Sequence, residues 1–482
     1  MKESVKFHPG RHPQDFSCVR ETFAIAESLG VPIYLVGGFL RDAIDVGIEP
    51  RHKTVSDFDF AVGGGVEPLA LAVASALKGH YVRLDAENDI TRIVLDSETY
   101  LDFAGYKGTM ESDIWRRDFA INALAYVGGE EVIDLVGGLS DLRARRIRAL
   151  SEDVLRSDPL RLLRAYRFAV LLEGEIEAGT RSLLRSNLAL LDRVAKERIN
   201  YELFTMMDSP NVGRYIYDMG EVGLLEAIFP QLIDCRRVTA NSFHHLALFE
   251  HSMETIPQIE ARLPSMPDYV KCSVAAQLGS GVSRLAATKV AALLHDIGKP
   301  GTWQVTPEGR HTFIAHDKLG ASMVKTMAEG QKWSRALSRF IEKLVLLHLR
   351  PGQLFHTGTP TKKAINRFYR NVGEDVPELM LLAFADLGAT RGPGLCGENR
   401  ENLEQNLIEL LHGFPVYLEE SKKIPQLLNG GDVMKLLSLS PCPLVGEILL
   451  ALGEAQEIKE VTDRAQAEAF VRDLYEKQKT ER

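Results

Sequence analysis

The sequence predicts an α+β chain, with strands in its first third and helices through the rest. Three observations carry this. An apolar run, Ile33 to Val36, ends in Gly37-Gly38 before an amphipathic stretch from Phe39. Asp57 and Asp59 flank Phe58 in a short strand-like run, so a period of two puts both carboxylates on one face and Phe58 on the other. From about Asp208 the pattern becomes helical and polar, and from Arg143 to Arg198 the chain holds 13 Lys/Arg against 8 Asp/Glu, a local +5 in a chain of net charge −9.

Composition narrows the classes. At 482 residues, 45% of them hydrophobic, the chain has material for three or four domains. No apolar run reaches membrane-span length and the start MKESVKFHPGRHPQDF lacks a signal-peptide core, which points to a cytoplasmic protein without a membrane partner. Cys18, Cys235, Cys272, Cys396 and Cys442 are scattered with no C-x-x-C pair, which indicates neither a zinc knuckle nor a disulfide framework.

Taken in order, an amphipathic helix from Asp15 to Leu29 is closed by Pro32. The strand Ile33–Val36 then feeds a Gly37-Gly38 turn whose backbone amides suit an anion. Asp57 and Asp59 follow a turn-rich interval, and paired acids beside a phosphate-binding turn suit Mg²⁺ and a nucleoside triphosphate. Gly63 to Gly65 read as a plain turn, since no Lys-Ser/Thr follows them, and an Ala/Leu helix leads to strands at Tyr81–Leu84, Thr91–Leu95 and Thr99–Phe103. Asp102 is either a third metal-site carboxylate or a strand-end turn residue. ESDIWRRDFAINALAY reads as a helix, with Asp118 and Asn122 on one face beside Arg116 and Arg117: guanidinium for phosphate, carboxylate and amide for ribose. Asp134 and Gly137-Gly138 form a turn before a basic helix or hairpin. In DPLRLLRAYRFAV, Asp158 and Arg161 project together at a helix start, as a base-reading donor and acceptor or as an N-cap with a salt bridge.

A second constellation follows from FHHLALFEHSMETI, VAALLHDIGKP and FADLGATRG. It contains His251, His295-Asp296, His316, His348 and Asp386, with His244 and His245 left outside the ligand set. Imidazole with carboxylate suits a first-row divalent metal that activates water against a phosphate ester. The loop Thr390–Asn399 reads as a linker, and Pro441 and Pro443 lead into a helix over Leu444–Leu452.

The GG turn, the Asp57-x-Asp59 pair, RRDF-x-INA and DPLRLLR together resemble the nucleotidyltransferase head and neck shared by bacterial tRNA nucleotidyltransferases and poly(A) polymerases. The resemblance implies a mixed-sheet, polymerase-β-like head at 1–147, an all-α neck at 148–235, an HD phosphohydrolase-like domain at 236–395 and a tRNA-contacting tail at 396–482. It implies Asp57, Asp59 and Asp102 as the catalytic set with two Mg²⁺. Gly37, Gly38, Arg41, Asp42, Arg116, Arg117, Asp118, Asn122, Asp158, Arg161 and Arg164 become the nucleotide-binding set, with Glu197 and Arg198 behind the base reader. It also implies His251, His295, Asp296 and Asp386 as ligands of Ni²⁺, Mn²⁺ or Fe²⁺, with His316 and His348 serving a second metal or phosphate. The chain departs from the family at Ala120, usually Thr, at Ser157, usually acidic, and at Cys442, usually Gly.

The partners implied are the tRNA 3′ end with CTP, ATP or both. Only 56 residues, 60 to 115, separate the paired acids from the Arg-Arg-Asp run, and the short segment after Asp102 resembles enzymes that add CC rather than CCA or A. The alternatives are a poly(A) polymerase, and an HD phosphohydrolase acting on RNA ends or cyclic phosphates with a non-catalytic, RNA-holding head.

Overall fold

The computed structural model describes residues 2–45, 47, 56–240, 245–279, 281–309, 311–356, 358–392 and 397–480. His244, Cys396, most of the turn-rich interval before Ser56 and the middle of the 390–399 linker lie outside them. The chain divides into two compact units, residues 1–211 with 217–230, and residues 212–216 with 231–482.

The first unit is built on an eight-stranded sheet. Its strands are β1 (Lys2–Ser4), β2 (Ile33–Val36), β3 (Ser56–Val62), β4 (His80–Asp85), β5 (Ile90–Val94), β6 (Thr99–Gly105), β7 (Leu124–Tyr126) and β8 (Glu131–Asp134), in the order β1-β8-β7-β2-β3-β6-β5-β4. Only β3 and β6 run parallel, so the sheet is mixed. Phe58 and Phe60 alternate with Asp57 and Asp59 and are fully buried, Phe58 against Phe16 and Phe39, Phe60 against Phe23 and Phe103. Burying each ring contributes roughly 1.5–3 kcal/mol, which fixes the register and turns the acids to the opposite face. The strands read between residues 81 and 103 are present with ends shifted by at most two residues.

The helix expected over ESDIWRRDFAINALAY is not formed. An α-helix covers only Met110–Ile114, a 3-10 turn spans Ala120–Asn122, and the apolar end becomes β7. All three residues of β7 are buried between β2 and β8. A short apolar run serves a buried strand as well as a buried helix, and here closing the sheet decided the outcome. The Asp134 turn is held by one carboxylate that accepts from the amides of Val136, Gly137, Gly138 and Leu139. The helices Glu152–Ser157, Arg161–Leu172, Ala178–Asn187 and Lys196–Met207 complete the basic stretch.

In the second unit, the helices Leu248–Arg262, Arg284–Leu294, His316–Gly330, Arg335–Leu347 and Val376–Ala389 pack together. The first and last of these, with the C-terminal ends of the second and fourth and the N-terminus of the third, carry the histidine and aspartate constellation. Glu398–Lys422 packs on Val376–Ala389. The tail has its own core of Leu428, Val433, Val445, Ile448, Leu452 and neighbours, and the expected helix after Pro443 spans Pro443–Glu457. Cys18, Cys235, Cys272 and Cys442 are free thiols. Among the described residues, no helix is long and apolar enough to cross a membrane.

Candidate active site

Three neighbouring strands put a row of charges on one face of the sheet. Asp59 of β3 pairs in register with Asp102 of β6, and Asp102 pairs with Arg92 of β5. Asp57 lies two residues before Asp59 on the same face, and carboxylate oxygens of Asp57, Asp59 and Asp102 lie within 4.8 Å of one another. Burial, with the charges of Asp57 and Asp102 beside it, pushes Asp59 up to about 7. Burial and Asp102 also raise Asp57, against the pull of Arg92. Three crowded acids that resist joint ionisation form a hard oxygen set that a divalent cation relieves, which is the fit Mg²⁺ requires.

The Gly37-Gly38 turn lies directly on this cluster. Gly37 has φ +79°, and a Cβ on it would overlap Asp59 Oδ2, so the turn needs glycine for both conformation and space. The Gly38 amide donates to Asp59. One of the two amides read as an anion cradle thus serves the Asp59 carboxylate.

The other residues read as nucleotide-binding fall into two groups. Asp118, Asn122, Arg41 and Arg164 form a connected network: Arg41 donates to Asn122 Oδ1 at 2.9 Å, Asn122 Nδ2 to Asp118 Oδ1 at 2.9 Å, and Arg164 to Asp118 Oδ2 at 2.7 Å. Arg41 also binds its neighbour Asp42 and lies over the Phe168 ring. Asp118 and Asn122 come together without a helix, because the 3-10 turn replaces the expected one. Against the penalty of burial, the Arg164 charge and the Asn122 and Phe119 donors hold the Asp118 carboxyl low.

Arg116, Arg117, Asp158 and Arg161 form the second group, nearer the surface. Arg116 and Arg117 both bind Asp113. Asp158 and Arg161 make no ion pair with each other. Asp158 caps the end of Glu152–Ser157 and accepts from Arg198 at 2.9 Å, while Arg161 opens the next helix and donates to Val154 O at 2.8 Å. The Ser157 hydroxyl binds the same Val154 carbonyl and accepts a long contact from Arg161, so no carboxylate steadies Arg161 from that position.

The second unit gathers five residues around Asp296. His251 Nε2 lies 3.2 Å from Asp386 and 3.7 Å from Asp296 Oδ2, and His295 Nε2 lies 3.3 Å from the same oxygen. His316 and His348 approach Asp296 Oδ1 at 3.2 and 3.5 Å. Nδ1 of His295, His316 and His348 each faces a backbone carbonyl at 2.7 Å, from Ala292, Phe313 and Val345. A carbonyl only accepts, so each Nδ1 carries a proton and each ring turns its Nε2 inward to the cluster. Facing Nε2 atoms 3.3 Å apart, His316 to His348, and 3.4 Å apart, His251 to His295, call for a cation between them. The donor set fits a first-row divalent metal. Burial opposes charging His295, yet Asp296 and Asp386 raise it, whereas burial pushes His348 down. A narrow cleft lined by Val238, Leu248, His251, Lys299 and Phe313 reaches the cluster.

Three residues of these sites escaped the sequence reading. Arg92 grips Asp102, buried Glu202 accepts from Arg164 and Arg167, and Lys299 binds Asp296. Alternation along β5 could have placed Arg92 on the acidic face once its partner strand was known. The spacing Asp296 to Lys299, one helical turn, could have suggested Lys299.

Both regions that carry these clusters match known protein families. Residues 33–148 match the model of the Poly A polymerase head domain, 175–235 that of the probable RNA and SrmB-binding site of polymerase A, and 273–387 the HD domain. The chain is 33% identical to the A-adding tRNA nucleotidyltransferase of Deinococcus radiodurans over 91% of its own length and 94% of that protein. It is 30% identical to the CC-adding tRNA nucleotidyltransferase of Thermus thermophilus, over 90% and 92%. In fold it resembles the Thermotoga maritima CCA-adding enzyme complexed with tRNA, with a TM-score of 0.63 at 19% identity, over 98% of this chain and all of the other.

Proposed function

The chain belongs to the bacterial tRNA nucleotidyltransferase and poly(A) polymerase family with an HD domain, and on that premise we propose that Asp57, Asp59 and Asp102 are its transferase centre, extending the tRNA 3′ end from CTP, ATP or both. The observation that carries this is the row of three carboxylates across β3 and β6 against the Gly37-Gly38 turn. Two Mg²⁺ held by Asp57 and Asp59 would supply charge neutralisation and in-line alignment of the attacking 3′-hydroxyl and the α-phosphate. Arg116 and Arg117, on the segment that leads into Asp118, offer guanidinium groups to the triphosphate. The network of buried Asp118, Asn122 and Arg41 with half-buried Arg164 fixes the floor of the nucleotide site. Asp158 and Arg161 present separate acceptor and donor groups to the base, with Arg198 orienting Asp158.

The product proposed is a partial one, CC in preference to A. After Asp102, β6 runs to Gly105, and a helix capped by Thr109 starts at Met110, leaving four residues between them. Tyr34 ties Asp113 of this segment back to β2, so the segment is short and anchored. A addition is the second reading, favoured by the 33% identity to the A-adding relative. Labelled CTP and ATP, offered to transcripts ending at the discriminator base, after C and after CC, separate these: we expect elongation that stops at CC.

For the second unit we propose a metal-dependent phosphohydrolase acting on phosphate esters. His251, His295, Asp296 and Asp386 would hold a divalent transition metal such as Ni²⁺, Mn²⁺ or Fe²⁺, and His316 and His348 serve the other oxygen of Asp296. Lys299 would hold substrate phosphate at the cleft. Release of inorganic phosphate from nucleoside monophosphates, abolished by Asp296→Ala, tests this.

A further inference from the structure

The acidic face of the head carries one cation that the proposed chemistry does not use. Arg92 projects from β5 opposite Asp102 and binds it as a fork, Nε to Oδ1 at 2.7 Å and Nη2 to Oδ2 at 2.7 Å. Nη2 also lies 4.0 Å from Asp57, and the guanidinium sits over the Tyr100 ring at 5.1 Å. Strand register, a bidentate pair and an aromatic face therefore fix this side chain from three sides.

Two consequences follow. A fork consumes one lone pair on each carboxylate oxygen, so Asp102 cannot turn and has one remaining direction of approach per oxygen. A single positive charge inside a cluster of three carboxylates also opposes the entry of a divalent cation. Lysine would keep the charge but lose the planar grip.

We propose that Arg92 is a positioning residue for nucleotidyl transfer: it fixes the Asp102 carboxylate and lowers the metal affinity of the free acidic cluster, so that the cluster fills with metal when nucleotide phosphates complete the oxygen set. This rests on the reading of Asp57, Asp59 and Asp102 as the transferase centre. Metal then arrives together with the triphosphate, and the empty site holds it weakly.

The test uses the full chain with its HD site already loaded, and the variants Arg92→Gln and Arg92→Lys. Mn²⁺ binding is measured by electron paramagnetic resonance without nucleotide and with an α,β-methylene CTP analogue, the head sites being those lost in Asp57→Asn. kcat and KM for CTP incorporation are measured alongside. Without nucleotide, Arg92→Gln should bind Mn²⁺ about tenfold more tightly than the wild type, because a charge close to the metal is gone. Its kcat should nevertheless fall, with KM for CTP shifted by less than about threefold, because Asp102 is loosened while ground-state binding is kept. Arg92→Lys should bind Mn²⁺ as the wild type does and recover only part of the turnover. A merely structural role would weaken Mn²⁺ binding and lower Tm together. Unchanged or weaker Mn²⁺ binding in Arg92→Gln overturns the proposal, as does an undiminished kcat. If Asp57→Asn incorporates CTP normally, the transferase reading itself fails, and that outcome is distinct from either result at Arg92.

Discussion

Replacing Arg164 by Met probes the network that joins it to Asp118, Asn122 and Glu202. Arg164 supplies both contacts to Asp118 Oδ2, at 2.7 and 3.1 Å, and one to Glu202 at 3.3 Å. Asp118 is only 7% exposed and Glu202 2%, so neither can turn to water. After the substitution, Asp118 keeps the Phe119 amide and Asn122 on Oδ1 but has no cation, whereas Glu202 still holds Arg167. Removing one partner of a buried pair costs about 3–5 kcal/mol. Arg164 is itself 30% exposed, which screens part of this, so the lower half of that range applies, about 3 kcal/mol. Urea unfolding followed by a probe in the first unit should show a midpoint lowered at unchanged m-value. Asp118→Asn in the Arg164→Met background should restore part of the loss, giving a coupling energy above about 1 kcal/mol in the double-mutant cycle. Arg164→Met within about 0.5 kcal/mol of wild type would refute this account of the network. The sign with pH is also fixed: the Asp118 carboxyl is held below its unfolded value, so its contribution is present above about pH 4 and fades as pH falls through the folded value.

Three further outcomes are expected. Gly37→Ala places a Cβ against Asp59 Oδ2 at a left-handed φ, and should destabilise the head by about 1–3 kcal/mol and remove most incorporation activity, read by urea unfolding and a gel assay. Asp59 is held up to about 7, so below that pH a metal must displace its proton, and the apparent Mg²⁺ affinity should weaken by about tenfold per pH unit. For the metal-free head the sign is the reverse of the Asp118 case, with stability greatest below the unfolded carboxyl value and lost as pH rises through 7. In the HD unit, Asp296 offers one oxygen to each half of the cluster, so Asp296→Ala should abolish bound transition metal while His348→Ala removes only the His316-side equivalent, measured by metal analysis.

Legibility in the sequence followed the range of each interaction. Asp57 and Asp59 were readable because two residues of one strand share a face whatever the strand pairs with. Asp102 stayed ambiguous from its own neighbours, since what brings it to Asp59 is the parallel register of β3 and β6, joined through a helix and a hairpin. Arg92 escaped for the same reason, one strand further out. The run INALAY misled because burial on both sides of β7 removed the alternation that marks a strand. Asp158 and Arg161 were expected to act side by side, yet Arg198, forty residues later, takes the carboxylate. In the second unit, His295-Asp296 and the spacing to Asp386 suggested a cluster suited to a metal, but the three carbonyls that set the histidine tautomers belong to two helix ends and a strand end that only the packed fold defines.

The most direct test of the transferase centre is incorporation of labelled CTP and ATP, separately and together, into tRNA transcripts ending at the discriminator base, after C and after CC, for wild type, Asp57→Asn and Asp59→Asn. We expect CC addition by the wild type with release of pyrophosphate. We expect a loss of at least about 10³-fold in either variant, with tRNA binding retained, because the metal clamp supplies several kcal/mol of the barrier reduction. Undiminished incorporation by both variants would contradict the assignment of the acidic row on β3 and β6 as the transferase centre.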